Sequence, residues 1–484
     1  MATLGKSFLL LFSAEFLFYL SGYVVHMGAG RILGVEEYGK YSLIITVTLM
    51  IANLIGAGLP VAMGKFLSAS HAKGNWPLAS HIKKQVALWQ SVFMMGVAGA
   101  FFLLAPVFGW ALGDSTLVPF FQMASLIIPL YGADLYYFHY YSGLKRFDVQ
   151  SWLKCTRAIL RMSVIIALAY WFHLAGIIAG YIVVPAFVFL LAWWWDKKKV
   201  KKKESPREEK PVEFSLRQVF SLAGATTVFL VLFEMLVSFD TYVLKYVTGD
   251  NALIGAYSAA LTVARIPTFL FYALTIILLP TISESRALKD AGRAKMLLRF
   301  TLRFMMFFTI PLMVLFFLYP EPIISILFGA QFQNATVLLP YLGVSMGLLT
   351  VLYVCGFAFL GANSSKKVLW IVAGGLFLNI ACIFPVFEWF GILGVVWLKW
   401  AIAFFVLVSV LWGVYRVFGA SISLYEGVAS VVSGFLMYGV GSFFPVSVVS
   451  FFWGAPILFL LYGGVLFVFK VISKEDLKVI KHHA

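Results

Sequence analysis

The sequence predicts an all-α polytopic membrane protein. It is expected to have fourteen transmembrane helices: two parallel-repeat six-helix lobes around a central cavity, plus two C-terminal helices. Three observations lead there. Of 484 residues, 62% are apolar and only 12% charged, where a soluble domain is nearer half apolar and a quarter charged. Lys and Arg gather on alternate connections between the apolar runs. A weak internal repeat returns at an offset of about 219 residues. The mean hydropathy of +0.94 excludes a water-soluble globular domain. At roughly 20 residues per membrane helix, the apolar residues fill up to about fourteen spans.

Apolar runs place the first six helices at about 7–30, 42–64, 85–108, 118–142, 152–171 and 174–195. The run from Ser7 to Gly30 is longer than a signal-peptide core and reads as an uncleaved first span. The next six fall at about 219–246, 254–280, 300–319, 335–360, 367–388 and 391–416, and two more at 424–446 and 448–470. Of the 37 Lys and Arg, Arg31, Lys40 and Lys245 sit in odd-to-even connections, and Arg161, Arg265 and Lys399 lie inside spans. The others gather at the N-terminus, in the even-to-odd connections and at the C-terminus. Arg157 is placed near the cytoplasmic interface, where its long side chain can snorkel. An excess of Lys and Arg marks the cytoplasmic side, so both termini are expected in the cytoplasm and the protein in the cytoplasmic (inner) membrane. The net charge of +16 is then a topology signal, and nucleic acid is not an expected partner.

The domain reading follows the same breaks: an N-terminal six-helix lobe at 1–196, a basic cytoplasmic linker at 197–216, a second six-helix lobe at 217–417, and two further helices with a cytoplasmic tail at 418–484. The linker region, DKKKVKKKESPREEKPVE, suits a topology anchor and could touch anionic lipid. The repeat supports the two lobes. Tyr38-Gly-Lys-Tyr-Ser42 matches Ile254-Gly-Ala-Tyr-Ser258, Pro60 matches Pro280, and Gly143 matches Gly361. Trp171-Phe172 matches Trp389-Phe390, while Glu15 and Tyr23 match Glu234 and Tyr242. A six-helix unit is even-numbered, so both copies share one orientation, and parallel repeats related by an axis along the membrane normal are a transporter layout.

Several function classes lack their motifs. Gly58 to Phe66 resembles a Walker A loop but has one residue too many and no Ser or Thr after Lys65. Transport is therefore expected to be passive or driven by an ion gradient or potential. Gly343-Val-Ser-Met-Gly347 fits the nucleophile-elbow pattern, which needs a strand-to-helix turn; inside an apolar helix it reads as small-residue packing, as do Gly30 with Gly34 and Gly176 with Gly180. Cys155, Cys355 and Cys382 have no metal spacing and are expected in the core, with no disulfide framework. No enzyme activity, metal or cofactor is expected.

Charges inside spans are the functional candidates, because each costs about 2.5–3.5 kcal/mol at a helix centre on insertion scales. Arg265, Arg161 and Lys399 can hold an anionic group. Glu15, Glu234 and Asp240 can bind a cation or carry a proton, so they are candidates for H⁺ or Na⁺ coupling. Asp134, His26 and Arg31 are weaker candidates. The run Tyr136-Tyr-Phe-His-Tyr-Tyr141 reads as an interfacial aromatic belt or a surface for stacking sugars.

The segments GRILGVEEYGKYSLI from Gly30, GLP from Gly58, IGAYSAALTVARIP from Ile254, and Leu279-Pro280 together resemble the polysaccharide, or lipid-linked oligosaccharide, flippases (Wzx-like). That family belongs to the superfamily that also holds the lipid II flippases and MATE multidrug exporters. The resemblance implies alternating access around a cationic cavity, with movement of a polyprenyl-pyrophosphate-linked oligosaccharide, such as an O-antigen or polysaccharide repeat unit, from the cytoplasmic to the outer leaflet. It implies membrane lipids, a polysaccharide polymerase and other assembly enzymes as partners. The family's cavity arginine on helix 8 would be Arg265. The basic cavity residue on helix 1 of lipid II flippases has no match here; that helix carries Glu15 instead. The alternative reading is a MATE-like cation-coupled multidrug exporter, whose cavity would be dominated by carboxylates and apolar walls.

Overall fold

The computed structural model describes residues 2–56, 58–72, 76–199, 216–288 and 290–471, which form helices, turns and short 3-10 or π segments with no strand among the described residues. Most of the basic linker expected at 197–216 and of the C-terminal tail lies outside the described residues. The helices in chain order are α1 (Ala2–Gly56), α2 (Gly58–Ala72), α3 (Trp76–Ala111), α4 (Val118–Ala124), α5 (Ile127–Gly143), α6 (Phe147–Leu160), α7 (Ile166–Lys199), α8 (Leu216–Thr248) and α9 (Asn251–Ala264). They continue as α10 (Ile266–Leu270), α11 (Tyr272–Ala287), α12 (Ala291–Leu318), α13 (Pro320–Leu327), α14 (Asn334–Gly361), α15 (Ser365–Phe418), α16 (Leu424–Gly441) and α17 (Val448–Val468). The protein is an all-α polytopic membrane protein.

Eleven helical stretches among the described residues are long and apolar enough to cross a bilayer. Three of them, Ser13–Ser68, Phe147–Lys197 and Ser365–Phe418, run to 56, 51 and 54 residues, far beyond the roughly 20 that one crossing needs. Each is bent by a residue with positive φ: Gly34 (74°), His173 (49°) and Gly391 (62°). The count of fourteen spans requires dividing them there. These breaks follow the sequence repeat. Gly34 and Gly249, Gly113 and Gly329, Lys145 and Asn363, and His173 and Gly391 all have positive φ, and the pairs are 215, 216, 218 and 218 residues apart. The left-handed region is sterically costly for most side chains, so its return in register marks a repeated backbone path.

The described chain forms two compact units, 1–255 and 256–484. In the first, α1 packs against α5, α6, α7 and α8. The aromatic run at the end of α5 is core, contrary to its reading as a belt or a sugar-stacking face. Tyr136, Tyr137, Tyr140 and Tyr141 are all buried. The Tyr136 hydroxyl donates to the Lys83 carbonyl at 2.9 Å, and that of Tyr141 to the Ala192 carbonyl at 2.8 Å. Lys83 Nζ lies 4.6 Å over the Tyr140 ring and 2.6 Å from Asp196 Oδ2. Hydroxyls facing an apolar core need such partners, and here α3 and α7 supply them.

Lys245, which the sequence places in an ordinary connection, is fully buried. Its Nζ lies 3.1 Å from Asp114 Oδ2 and donates to the Gly249 carbonyl at 3.0 Å. Asn251 Nδ2 donates to the same carboxylate at 3.2 Å, and the Thr116 backbone N–H caps its other oxygen. Burial pushes the Asp114 carboxyl up. The hydrogen bonds from Thr116, Asn251 and Lys245, and the Lys245 charge, outweigh that and hold it at about 2.

In the second unit, Ser423 and Glu426 form a capping box at the start of α16. Glu426 also pairs with Arg299 at 3.1 Å and Arg303 at 3.4 Å. Tyr425 Oη donates to the Phe469 carbonyl at 2.8 Å, which joins α16 to the end of α17, while the Glu426 pairs tie α16 to α12. Ser345 is buried, and its hydroxyl donates to the Tyr341 carbonyl at 3.0 Å. A Cβ on Gly343 would overlap the Phe316 ring, and one on Gly347 would overlap Met313 Cε. The Gly-x-Ser-x-Gly motif is thus a close seat for α12.

Two predictions follow from these contacts. Gly347→Ala should destabilise the protein by about 1–3 kcal/mol through overpacking, whereas Gly464→Ala, whose Cβ meets nothing within 4 Å, should be neutral or stabilising; thermal unfolding in detergent compares them. Asp114 has a depressed folded-state pKa, so its contribution is complete above the unfolded value of about 3.9 and fades as pH falls toward the folded value. Asp114→Asn should therefore lower the melting temperature at pH 7, and the gap from wild type should narrow below about pH 4.

Candidate functional site

Lys154, Arg157 and Arg161 occur at spacings i, i+3 and i+7, which place them on one face of a helix. Glu15, Phe18 and Gly22 of α1 have the same spacing, and the two faces meet in step. Lys154 pairs with Glu15. The Phe18 ring lies beneath all three cations, with its centroid 5.4 Å from Lys154 Nζ, 5.1 Å from Arg157 Cζ and 4.8 Å from Arg161 Cζ. Gly22 lies against the Arg161 guanidinium, where an added Cβ would meet its Nη2 at 3.5 Å, an ordinary contact distance. From α5, Asp134 forms an ion pair with Arg157, and Tyr131 lies 4.3 Å beneath the same guanidinium. Aromatic faces attract cations most strongly where water is excluded.

The charges do not balance within this cluster. Glu15 and Asp134 neutralise Lys154 and Arg157. Among the described residues, Arg161 has no carboxylate within ion-pair distance, and its buried Nε has no hydrogen-bond partner. Arg161 also begins a π-helical turn, Arg161–Ile165, which joins α6 to α7. Such turns are uncommon and frequent at functional sites. Arg161 and Arg157 line a small, partly open pocket of about 20 Å³ with Leu49, Tyr131, Ile165, Tyr181, Val184 and Pro185. In this conformation it has room for little more than a water molecule, so what it offers a ligand is its charge rather than its volume. The Tyr181 ring lies 5.8 Å from Arg161 Cζ, and its hydroxyl is 3.1 Å from that of Tyr41.

The structure thus brings Arg161, Glu15 and Asp134 together. His26 is half-buried beyond them, with Nδ1 3.1 Å from the Tyr38 hydroxyl. Arg31 is exposed. Glu234 is half-buried and Asp240 buried, both on α8. Arg265 and Lys399 belong to the second unit. Arg265 is half-buried in the turn between α9 and α10, two residues before Pro267, where the sequence expected the helix to weaken. Lys399 is buried beyond the Gly391 bend of α15.

Sequence reasoning missed Lys154 and misplaced Arg157, which is buried against Asp134 rather than snorkelling at an interface. The missed signal was the i, i+3, i+7 spacing of the three cations, matched by the same spacing of acidic, aromatic and small residues on α1.

Known proteins resemble this chain in sequence and in fold. The model of the family described as polysaccharide biosynthesis protein matches residues 4–286. No curated protein sequence matches it. Among solved structures, the lipid II flippase MurJ in an inward closed conformation is 18% identical, with a TM-score of 0.71 over 97% of this chain and 99% of that one. An inward-facing MATE-family multidrug resistance transporter of the MOP superfamily is 12% identical, with a TM-score of 0.67 over 84% and 98%. A MOP-superfamily transporter from Pyrococcus furiosus, described as having a binding pocket of reverse polarity, is 13% identical, with a TM-score of 0.60 over 85% and 95%. At these identities the structural likeness speaks for the fold, and the family match covers more than half of the sequence. The chain belongs to the polysaccharide biosynthesis protein family and has the fold of the MOP-superfamily transporters.

Proposed function

We propose that the protein is a flippase that carries a polyprenyl-pyrophosphate-linked oligosaccharide from the cytoplasmic to the outer leaflet of the cytoplasmic membrane by alternating access, with both termini cytoplasmic. The observation that carries this reading is Arg161, a guanidinium at a pocket wall with no carboxylate partner among the described residues, in a chain of the polysaccharide biosynthesis family. A fixed guanidinium binds phosphate oxygens through paired N–H donors. The cationic excess of this cluster favours an anionic cargo over the cationic drugs of the alternative reading. Sugars are too polar for hydrocarbon and need a protein path, while the lipid tail can stay in the bilayer.

Arg265 and Lys399 are proposed as further anchors for the pyrophosphate along that path. Glu15, Glu234 and Asp240 are the proposed sites of coupling to H⁺ or Na⁺, since a buried carboxylate can exchange a proton or a cation for the charge it carries. A polysaccharide polymerase and other assembly enzymes would use the delivered product.

The test is reconstitution into sealed liposomes with a labelled polyprenyl-pyrophosphate oligosaccharide, with and without a proton or sodium gradient. Arg161→Ala should lower translocation at least tenfold, since a charge-assisted contact contributes about 1.5–3 kcal/mol, and should barely change thermal stability. Arg265→Ala should lose transport while still inserting. Asp134→Asn should behave oppositely to Arg161→Ala. It strands buried Arg157, and breaking such a pair costs about 3–5 kcal/mol of stability. Wild-type transport by Arg161→Ala would remove this pocket from the mechanism.

A further inference from the structure

Two residues that the repeat makes equivalent meet backbone from a distant segment more closely than any side chain would allow. Gly39 and Gly255 occupy the same place in Tyr38-Gly-Lys-Tyr-Ser42 and Ile254-Gly-Ala-Tyr-Ser258. A Cβ on Gly39 would overlap the carbonyl oxygen of Asn251, and a Cβ on Gly255 would overlap that of Val35. Asn251 is four residues before Gly255, and Val35 is four residues before Gly39. Each glycine therefore receives the carbonyl one helical turn before the other. Only glycine permits the contact, because any side chain at either position must displace backbone. The chain breaks that launch these segments are also repeat-related, at Gly34 and Gly249.

A second, polar contact meets the same residue. Asn251 offers its carbonyl to Gly39 and its side-chain amide to Asp114 Oδ2, at 3.2 Å. Lys245 holds that carboxylate oxygen at 3.1 Å and the Gly249 carbonyl at 3.0 Å. Asp114 follows α3, Gly39 lies just after the Gly34 bend, and Lys245 to Asn251 connect α8 to α9. These are odd-to-even connections of the sequence reading, assigned to the outer side by the distribution of Lys and Arg.

We propose that the Gly39–Gly255 crossing, locked by Asp114, Lys245 and Asn251, is the outer gate of the transport cycle. It is closed in this structure and must part before cargo can leave toward the outer leaflet. The inference rests on the transporter reading for its role in a cycle, but the parting is measurable without cargo. A glycine crossing suits a gate because two bare backbones seal without side chains that must repack. One carboxylate shared by an amide and an ammonium supplies a latch that breaks as a unit.

The test uses the full-length protein with Cys155, Cys355 and Cys382 replaced by serine. A reporter cysteine at Ser42, a buried position beside Tyr41, is challenged from the outer side with a membrane-impermeant maleimide. In the otherwise unchanged protein labelling should be slow. Asp114→Asn, which removes the charge that holds Lys245, and Gly255→Val, a steric wedge, should each speed it at least tenfold. In a second arm, Asp114→Cys with Asn251→Cys is oxidised to a disulfide in place of the latch. Flipping in liposomes should stop on oxidation and return with reductant. Unchanged labelling in both latch and wedge variants, labelling only from the cytoplasmic side, or full transport by the oxidised pair would overturn the gate. Faster labelling in variants of a protein that flips no lipid-linked oligosaccharide would keep the gate and overturn the cargo assignment instead.

Discussion

Hydrocarbon neither hydrogen-bonds a peptide group nor solvates a charge, and the rest of this structure depends on that constraint. Every backbone break and every buried ion has to be satisfied from within the protein. The bends at Gly34, His173 and Gly391 occur where one apolar stretch gives way to the next, so exposed peptide groups fall near the ends of spans rather than within them. The recurrence of positive-φ residues in repeat register follows from the same requirement, because both copies must leave the bilayer at the same places.

Among the described residues, three buried or half-buried cations are neutralised in place, whereas half-buried Arg161 has no carboxylate within ion-pair distance. The pairs Lys154–Glu15, Arg157–Asp134 and Lys245–Asp114 are joined by aromatic faces or neutral donors. Such an arrangement holds helices in register but leaves no net charge for a ligand. Arg161 differs. Phe18 and Tyr181 attract its guanidinium without cancelling its charge, and the π-helical turn places it at the wall of a pocket. A site for an anion needs this separation, in which some cations build the frame and another remains uncompensated.

Motif reading succeeded where chemistry is local and failed where it is not. The glycines of Gly343-Val-Ser-Met-Gly347 pack against α12 as their spacing in an apolar helix implied. The tyrosine run of α5 defeated the same approach. A tyrosine at the end of a span looks alike whether it faces headgroups or a carbonyl on a neighbouring helix, and Lys83 and Ala192 are distant in sequence. Lys245 was misjudged for the same reason, since its partner Asp114 is 131 positions away.

By itself, the sequence determined the membrane class, the approximate spans and the repeat register. It also determined which residues carry charge into apolar segments. These follow from composition and spacing along one chain, because a bilayer imposes its thickness on every helix separately. Only the tertiary structure decided which charges cancel. Glu15, Asp134 and Arg161 were all legible as charges inside apolar spans, yet nothing local distinguishes a neutralised ion from one available to a ligand. That depends on which helix faces meet. Here the face of Glu15, Phe18 and Gly22 aligns with that of Lys154, Arg157 and Arg161 across 139 positions of chain, and long-range packing of this kind sets the pairing that leaves Arg161 without a carboxylate among the described residues.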